Sequence, residues 1–247
     1  MGMMCSNAQA DLVVGQTVGI DFAAPNAVFP DPAPATSAPS ASSGFNEFAL
    51  NVADGATVAI ATPYVATDGA ALSGDSFTVT NNLGKDATLT GVLGSEGGGI
   101  FNDSTIFSDN LGAANVGGAS RADGGTLAAG ANLVFTFSGL DDGLIYDFSG
   151  QGHDQNNANF DVTFTDTTAG GTGGFGSSNT TGSLGNVSLA GLVTDGSGSI
   201  EITVTRDNVQ LFVSGVALTA TAAQVPEPSS LALLGLGAVG FITRRRR

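Results

Sequence analysis

Apolar residues recur at every second position along much of the chain, in short runs interrupted by Gly, Asn, Asp and Ser. Period two places alternate side chains on one face of a strand, and the interrupting residues favour turns. The pattern therefore predicts strands and tight turns, with no sustained helical period in the body. Val18-Gly19-Ile20-Asp21-Phe22 begins the series, and Thr57-Val58-Ala59-Ile60 follows a turn at Asp54-Gly55. In Ser76-Phe77-Thr78-Val79-Thr80, Phe77 and Val79 share a face; Leu89 and Val92-Leu93 lie on either side of Gly91. The alternation is sharper later on, in Leu133-Val134-Phe135-Thr136-Phe137, Leu144 to Phe148, Phe160 to Thr165 and Ile200 to Arg206. Val209 to Val213 and Val216 to Thr219 close the series around Gly215.

That makes roughly ten to twelve strands at short spacing, and the predicted fold is all-β: a jelly-roll-type β-sandwich over residues 11–223. Residues 25–44 hold five of the eight prolines among many Ala and Ser, and read as a surface loop. Gly94 to Gly99 and Gly170 to Gly176 are expected to be flexible loops. No repeat at a fixed period is present.

The C-terminus departs from this grammar. After Val225-Pro226-Glu227-Pro228 come twelve uncharged residues, Leu231 to Ile242, with Leu231, Leu233, Leu234, Leu236, Val239, Phe241 and Ile242 as the apolar membrane segment. Arg244, Arg245, Arg246 and Arg247 end the chain. As a helix, Ser229 to Thr243 would span about 22 Å, short of the ~30 Å hydrocarbon core. Arginines that snorkel to the headgroups and local thinning of the bilayer cover part of the gap, which suits transient engagement followed by processing. The arginine cluster should stay cytoplasmic and place everything before Pro226 outside, while Pro226 and Pro228 stop the helix from running back into the body.

Residues 224–247 resemble the PEP-CTERM sorting signal: a Pro-Glu-Pro motif, an apolar helix and a short Arg-rich terminus, in order. The resemblance implies that Pro226, Glu227 and Pro228 mark the chain for an exosortase-type sorting enzyme. It also implies cleavage near the motif, transient anchoring in the inner membrane, and delivery to the cell surface or an extracellular matrix rich in polysaccharide. At the other end, residues 1–10 close on Ala8-Gln9-Ala10, the small-x-small pattern of a signal-peptidase site, and read as the remnant of a signal peptide with the mature chain starting near Asp11.

Charge narrows the function further. Lys85, Arg121 and Arg206 are the only cations before the terminal cluster, against 22 acids, and such a field repels phosphate backbones. Nucleic acid is excluded as a partner. Cys5 is the sole cysteine, so no disulfide can form within the chain and the body has no catalytic thiol.

Catalytic chemistry is sparse. Gly74-Asp75-Ser76 and Gly99-Ile100-Phe101-Asn102-Asp103 match two blocks of SGNH-type esterases, but the Asp-x-x-His block is missing because position 150 is Gly. Without an oriented base Ser76 keeps an ordinary alcohol pKa, so no catalytic residue is assigned. His153, the one histidine, reads as a loop residue. Two carboxylate pairs, Asp141 with Asp142 and Asp154 with Asp161, are the weak candidates for calcium, although Asp-Asp-Gly is first of all turn chemistry. Tyr146 and most Phe belong to the core on this reading.

From Leu133 to Ala220 the arrangement FTFSGLDDGLIYDF, GSIEITVTR, VQLFVSGVALTA is similar to the galactose-binding-like sandwiches of malectin-type and other carbohydrate-binding modules. The leading expectation is a non-enzymatic surface or matrix protein with a structural or adhesive role. A carbohydrate-binding module that recognises extracellular polysaccharide, with or without calcium, is the alternative, and a secreted hydrolase the third reading.

Overall fold

The structure is a computed structural model of the chain and describes residues 12–22, 44–48, 50–60, 64–91, 109–113, 130–153, 161–168, 170–176, 184–206, 211–213 and 215–221. Every regular element among them is a strand. In chain order these are β1 (Thr17–Asp21), β2 (Asn46–Glu47), β3 (Thr57–Ala59), β4 (Ser76–Asn82), β5 (Thr88–Gly91), β6 (Asp109–Ala113) and β7 (Asn132–Ser138). They continue with β8 (Ile145–His153), β9 (Asp161–Asp166), β10 (Thr172–Gly176), β11 (Leu184–Leu192), β12 (Ser199–Arg206), β13 (Leu211–Val213) and β14 (Gly215–Thr221). The all-β expectation holds. The apolar helix over 231–242, the sorting motif, the arginine cluster, Ala8, Ala10, the loop over 25–43, Gly94 to Gly99 and Asp154 lie outside the described residues.

Two large sheets form, ordered β11-β8-β14-β1-β2 and β10-β9-β12-β7-β4-β3, with a small third sheet β13-β6-β5. Pairing is antiparallel except for β1 with β2. From β7 onward the chain passes repeatedly from one large sheet to the other, and only β9 and β10 form a local hairpin within one sheet.

The period-two pattern explains why the sheets face each other. In β7, Leu133, Phe135 and Phe137 are buried and their neighbours only half so; Ile200, Ile202 and Val204 of β12 repeat this in register. A row of rings ties the two large sheets together. Phe137 of β7 meets Phe148 of β8 at 6.4 Å between centroids, and Phe148 meets Phe164 of β9 at 5.7 Å. A second group, Phe22, Phe48, Phe77 and Phe135, packs at 5.5–6.3 Å. Such edge-on and tilted pairs add about 0.5–1.5 kcal/mol each beyond the area they bury. With no Trp in the chain, phenylalanine carries this core.

Gly170 to Gly176 corrects the loop expectation, since Thr172–Gly176 is strand β10, paired with β9. The reason is steric. A Cβ on Gly173 would stand 2.8 Å from Val187 and 2.9 Å from Leu189 of β11, so the glycine lets β10 pack closely against that strand.

Buried polar groups are built into the frame. Asn46, 3% exposed, donates to the carbonyls of Gly19 (3.0 Å) and Val65 (2.7 Å) and accepts from the Val65 N–H (2.9 Å). Asn81 does the same elsewhere, donating to Val52 and Lys85 carbonyls and accepting from the Leu83 N–H. Each amide replaces missing ladder bonds for a segment that is not itself a regular strand.

Candidate functional site

The tail that carries the sorting residues leaves from β14, which lies inside its sheet between β1 and β8. Thr219 pairs with Thr17 on one side, and Thr221 pairs with Ile145 on the other. The Thr221 hydroxyl donates to the Ile145 carbonyl at 2.8 Å, so β14 is held to its last residue. Val216, Leu218 and Ala220 are fully buried, which fixes the strand's register against the core.

Around this exit lies a rim of turns. The segment from Gly139 to Leu144 joins β7 to β8. Asp141 Oδ1 accepts the Gly143 N–H at 2.7 Å, an Asx turn as the Asp-Asp-Gly sequence predicts. Asp142 reaches the neighbouring turn between β11 and β12, where its Oδ1 accepts the Thr194 hydroxyl at 2.5 Å and the Gly198 N–H at 2.9 Å. In that turn Asp195 accepts from Ser197 and from the Ser199 N–H, and these bonds, led by the Ser197 hydroxyl, hold its carboxyl below the usual range. The left-handed backbone at Gly139 and Gly198 lets the two turns close on their neighbours; at Gly198 a Cβ would come within 2.7 Å of the Leu140 carbonyl.

Beneath the rim, Tyr146 donates from its hydroxyl to the Asp141 carbonyl at 3.0 Å. Burial first, with the nearby charges of Asp141, Asp75 and Asp142, pushes its phenol up to about 12. Burial, aided by the charge of Asp75, pushes Tyr64 well above its ordinary value too. Asp75 is buried and accepts the Leu12 N–H at 3.0 Å, tying the start of the described chain to this end.

The structure separates the remaining predicted residues. Asp161 opens β9, beyond the far end of β8, and eight steps along β8 amount to roughly 26 Å, so Asp161 sits at the opposite end of the body from Asp141 and Asp142. Among the described residues no three His, Cys, Asp or Glu side chains group to hold a metal ion. Ser76 starts β4 opposite Ser138, whereas His153 closes β8 opposite Leu184, again at opposite ends. The serine and the histidine therefore do not form a dyad.

Sequence reasoning missed β2, β6, β10 and β11. It also missed Asn46 and Asn81, whose type gives no sign of burial, and the convergence of the two turns on β14.

A two-sheet β domain whose interior C-terminal strand leads, within a few residues, into an apolar, arginine-ended tail is the class these observations define. Residues 224–247 match the PEP-CTERM protein-sorting motif, which marks an exported protein. No curated protein matches the chain. Among solved structures, TmCBM61 in complex with β-1,4-galactotriose aligns at 12% identity and TM-score 0.30, over 59% of this chain and 88% of that one. The enzymatically active domain of bacteriophage CBA120 tailspike protein 4 aligns at 14% identity and TM-score 0.28, over 61% of this chain and 19% of that one. The sugar and the activity belong to those two proteins. Among the described residues no helix is long and apolar enough to cross a membrane.

Proposed function

We propose that this is a non-enzymatic surface or matrix protein, anchored transiently through its tail, processed by an exosortase-type enzyme and displayed outside the cell as an acidic jelly-roll sandwich with a structural or adhesive role. The observation that carries this reading is the motif at 224–247, which follows the last described strand by a few residues. The strand order β11-β8-β14-β1 facing β10-β9-β12-β7 supports the jelly-roll assignment, since it is the order two interleaved Greek keys produce. In this scheme Pro226 to Pro228 identify the substrate, Leu231 to Ile242 hold it in the bilayer and Arg244 to Arg247 set its orientation. Mass spectrometry of both ends of the protein recovered from cells tests it. A mature C-terminus near Pro226 is expected in the native chain and its loss with Pro226→Ala; an untrimmed, membrane-free protein in the cytosol rejects the reading.

Glycan binding is a second reading, and the outer face of the six-stranded sheet favours it. Thr78, Thr80, Thr136, Thr165 and Thr203 lie there in register, half exposed, with Glu201 as the charged residue among them. A field of hydroxyls with few charges among them suits a polysaccharide better than an ionic partner. A glycan array run with and without chelator decides whether sugar binds and whether calcium takes part.

A further inference from the structure

The tail-bearing end carries more than turns. Four large apolar side chains are well exposed among the described residues: Val13 (56%), Val14 (54%), Leu50 (47%) and Val193 (43%). Three of them, Val13, Val14 and Val193, belong to this end. Val13 and Val14 precede β1 in a turn whose Gly15 N–H donates to Ala220 of β14, and Val193 follows β11, whose Leu192 pairs with Tyr146. The strand order places the two sites on the same sheet edge-end, three strands and about 14 Å apart. Leu50 is at the other end, beside the Val52–Ala87 bridge.

The same end is acidic. Asp68, Asp141, Asp142 and Asp195 line the tail-bearing end. Lys85 beyond β4 and Arg206 at the close of β12 are at the far end, among Asp21, Glu47, Asp54, Asp86 and Asp161, so no described Lys or Arg stands beside the rim aspartates.

The tether is short. Ala222, Ala223, Gln224 and Val225 separate Thr221 from Pro226, so at full extension the motif lies at most about 18 Å from the last paired residue. β14 cannot lengthen it without breaking ladders on both sides. Whatever reads Pro226 to Pro228 therefore works against this end of the folded body.

We propose that the rim formed by Val13, Val14, Val193 and the surrounding aspartates is a docking face for the extracytoplasmic surface of the membrane-embedded sorting enzyme, a partner that offers lysine or arginine beside apolar contacts. An anionic lipid surface is the poorer occupant, because docking on it would bring the aspartates within a Debye length of like charge, where they are repelled. The proposal rests on the sorting reading above and adds that recognition extends past the motif to the body.

Pulse–chase of the full-length chain in cells carrying a tagged sorting enzyme tests it. The triple change Val13→Ser, Val14→Ser, Val193→Ser alters exposed side chains only, and an unchanged urea midpoint verifies folding. Tail removal is expected to slow about fivefold, the scale of losing a few partly buried apolar contacts. With about twelve Gly/Ser residues inserted after Ala223, the body is released from the enzyme and the triple change should no longer matter. A photo-crosslinker in place of Val14 should capture the tagged enzyme. Wild-type processing of the triple variant, or crosslinks to lipid alone, overturns the docking face while leaving sorting intact. Failure of the unaltered chain to be trimmed overturns both.

Discussion

Changing Asn46 to aspartate exchanges one amide nitrogen for an oxygen at the centre of a buried clip. The nitrogen now donates to two carbonyls, Gly19 at 3.0 Å and Val65 at 2.7 Å, while Oδ1 accepts the Val65 N–H. An ionised carboxylate would keep the third bond, lose the first two, and set negative charge against two carbonyl oxygens at a site 3% exposed. Two lost hydrogen bonds cost about 1 kcal/mol each. With the uncompensated buried charge, the total should reach about 3–5 kcal/mol at pH 7. Burial and the two carbonyls both disfavour ionisation, so the new carboxyl's folded pKa lies above its unfolded value of about 3.9. The penalty is then smallest below that value and grows by roughly 1.4 kcal/mol per pH unit until pH passes the folded pKa, where it levels off. Urea unfolding at 25 °C from pH 5 to pH 8 measures it above the isoelectric point of about 4.1. Far-UV CD and tyrosine fluorescence report, since Trp is absent. The neutral control Asn46→Ala should cost roughly 3 kcal/mol at every pH. A penalty for Asn46→Asp below about 1 kcal/mol at pH 7 would refute the clip as the source of the stability.

Three further outcomes are expected. Phe148→Ala, which removes the ring joining Phe137 to Phe164 from a fully buried site, should cost about 3–5 kcal/mol by urea unfolding, and Phe148→Leu less than half of that. Gly139→Ala should destabilise by roughly 2–4 kcal/mol by the same assay, because its left-handed backbone strains any other residue and the added Cβ would fall on the Gly74 carbonyl. Tyr146, with its phenol raised to about 12, should stay protonated in the folded protein past the ordinary range. The unfolded chain then loses that proton first, so this contribution to stability is complete below about pH 10 and disappears as pH rises from there towards the folded value. Phenolate absorbance followed through the unfolding pH checks it, and early titration would contradict the burial of the Tyr146 ring and its bond to the Asp141 carbonyl.

Strands that face the core on one side were legible because burial imprints period two on them: Phe77 and Val79, Leu133 to Phe137, and Ile200 to Val204 all point where the alternation put them. The turn at Asp141-Asp142-Gly143 was legible for a local reason, since Asp and Gly choose that backbone by themselves. Strand β10 was not, because its glycines answer to Val187 and Leu189 across a tertiary contact, and composition alone reads them as slack. Asn46 and Asn81 escaped for a similar reason: an asparagine looks the same in sequence whether it solvates a turn or clips two buried segments. The motif at 224–247 was legible because it is a linear signal, read by order of residues. Its relation to the rim was not, because Val13, Asp142 and Val193 meet β14 only through strand order.

Force transmitted through the tail reaches the body at Thr221. An edge strand pulled from that point could peel away one hydrogen bond at a time. β14 has no free edge, since Thr219 is paired to Thr17 while Ala220 and Thr221 are paired to Tyr146 and Ile145. A pull along its axis loads both ladders together, and moving the strand by even one residue would turn Val216, Leu218 and Ala220 out of the core. The tail is thus moored to a strand that cannot slip without dismantling the domain. Tension applied to the tail should therefore leave the sandwich folded.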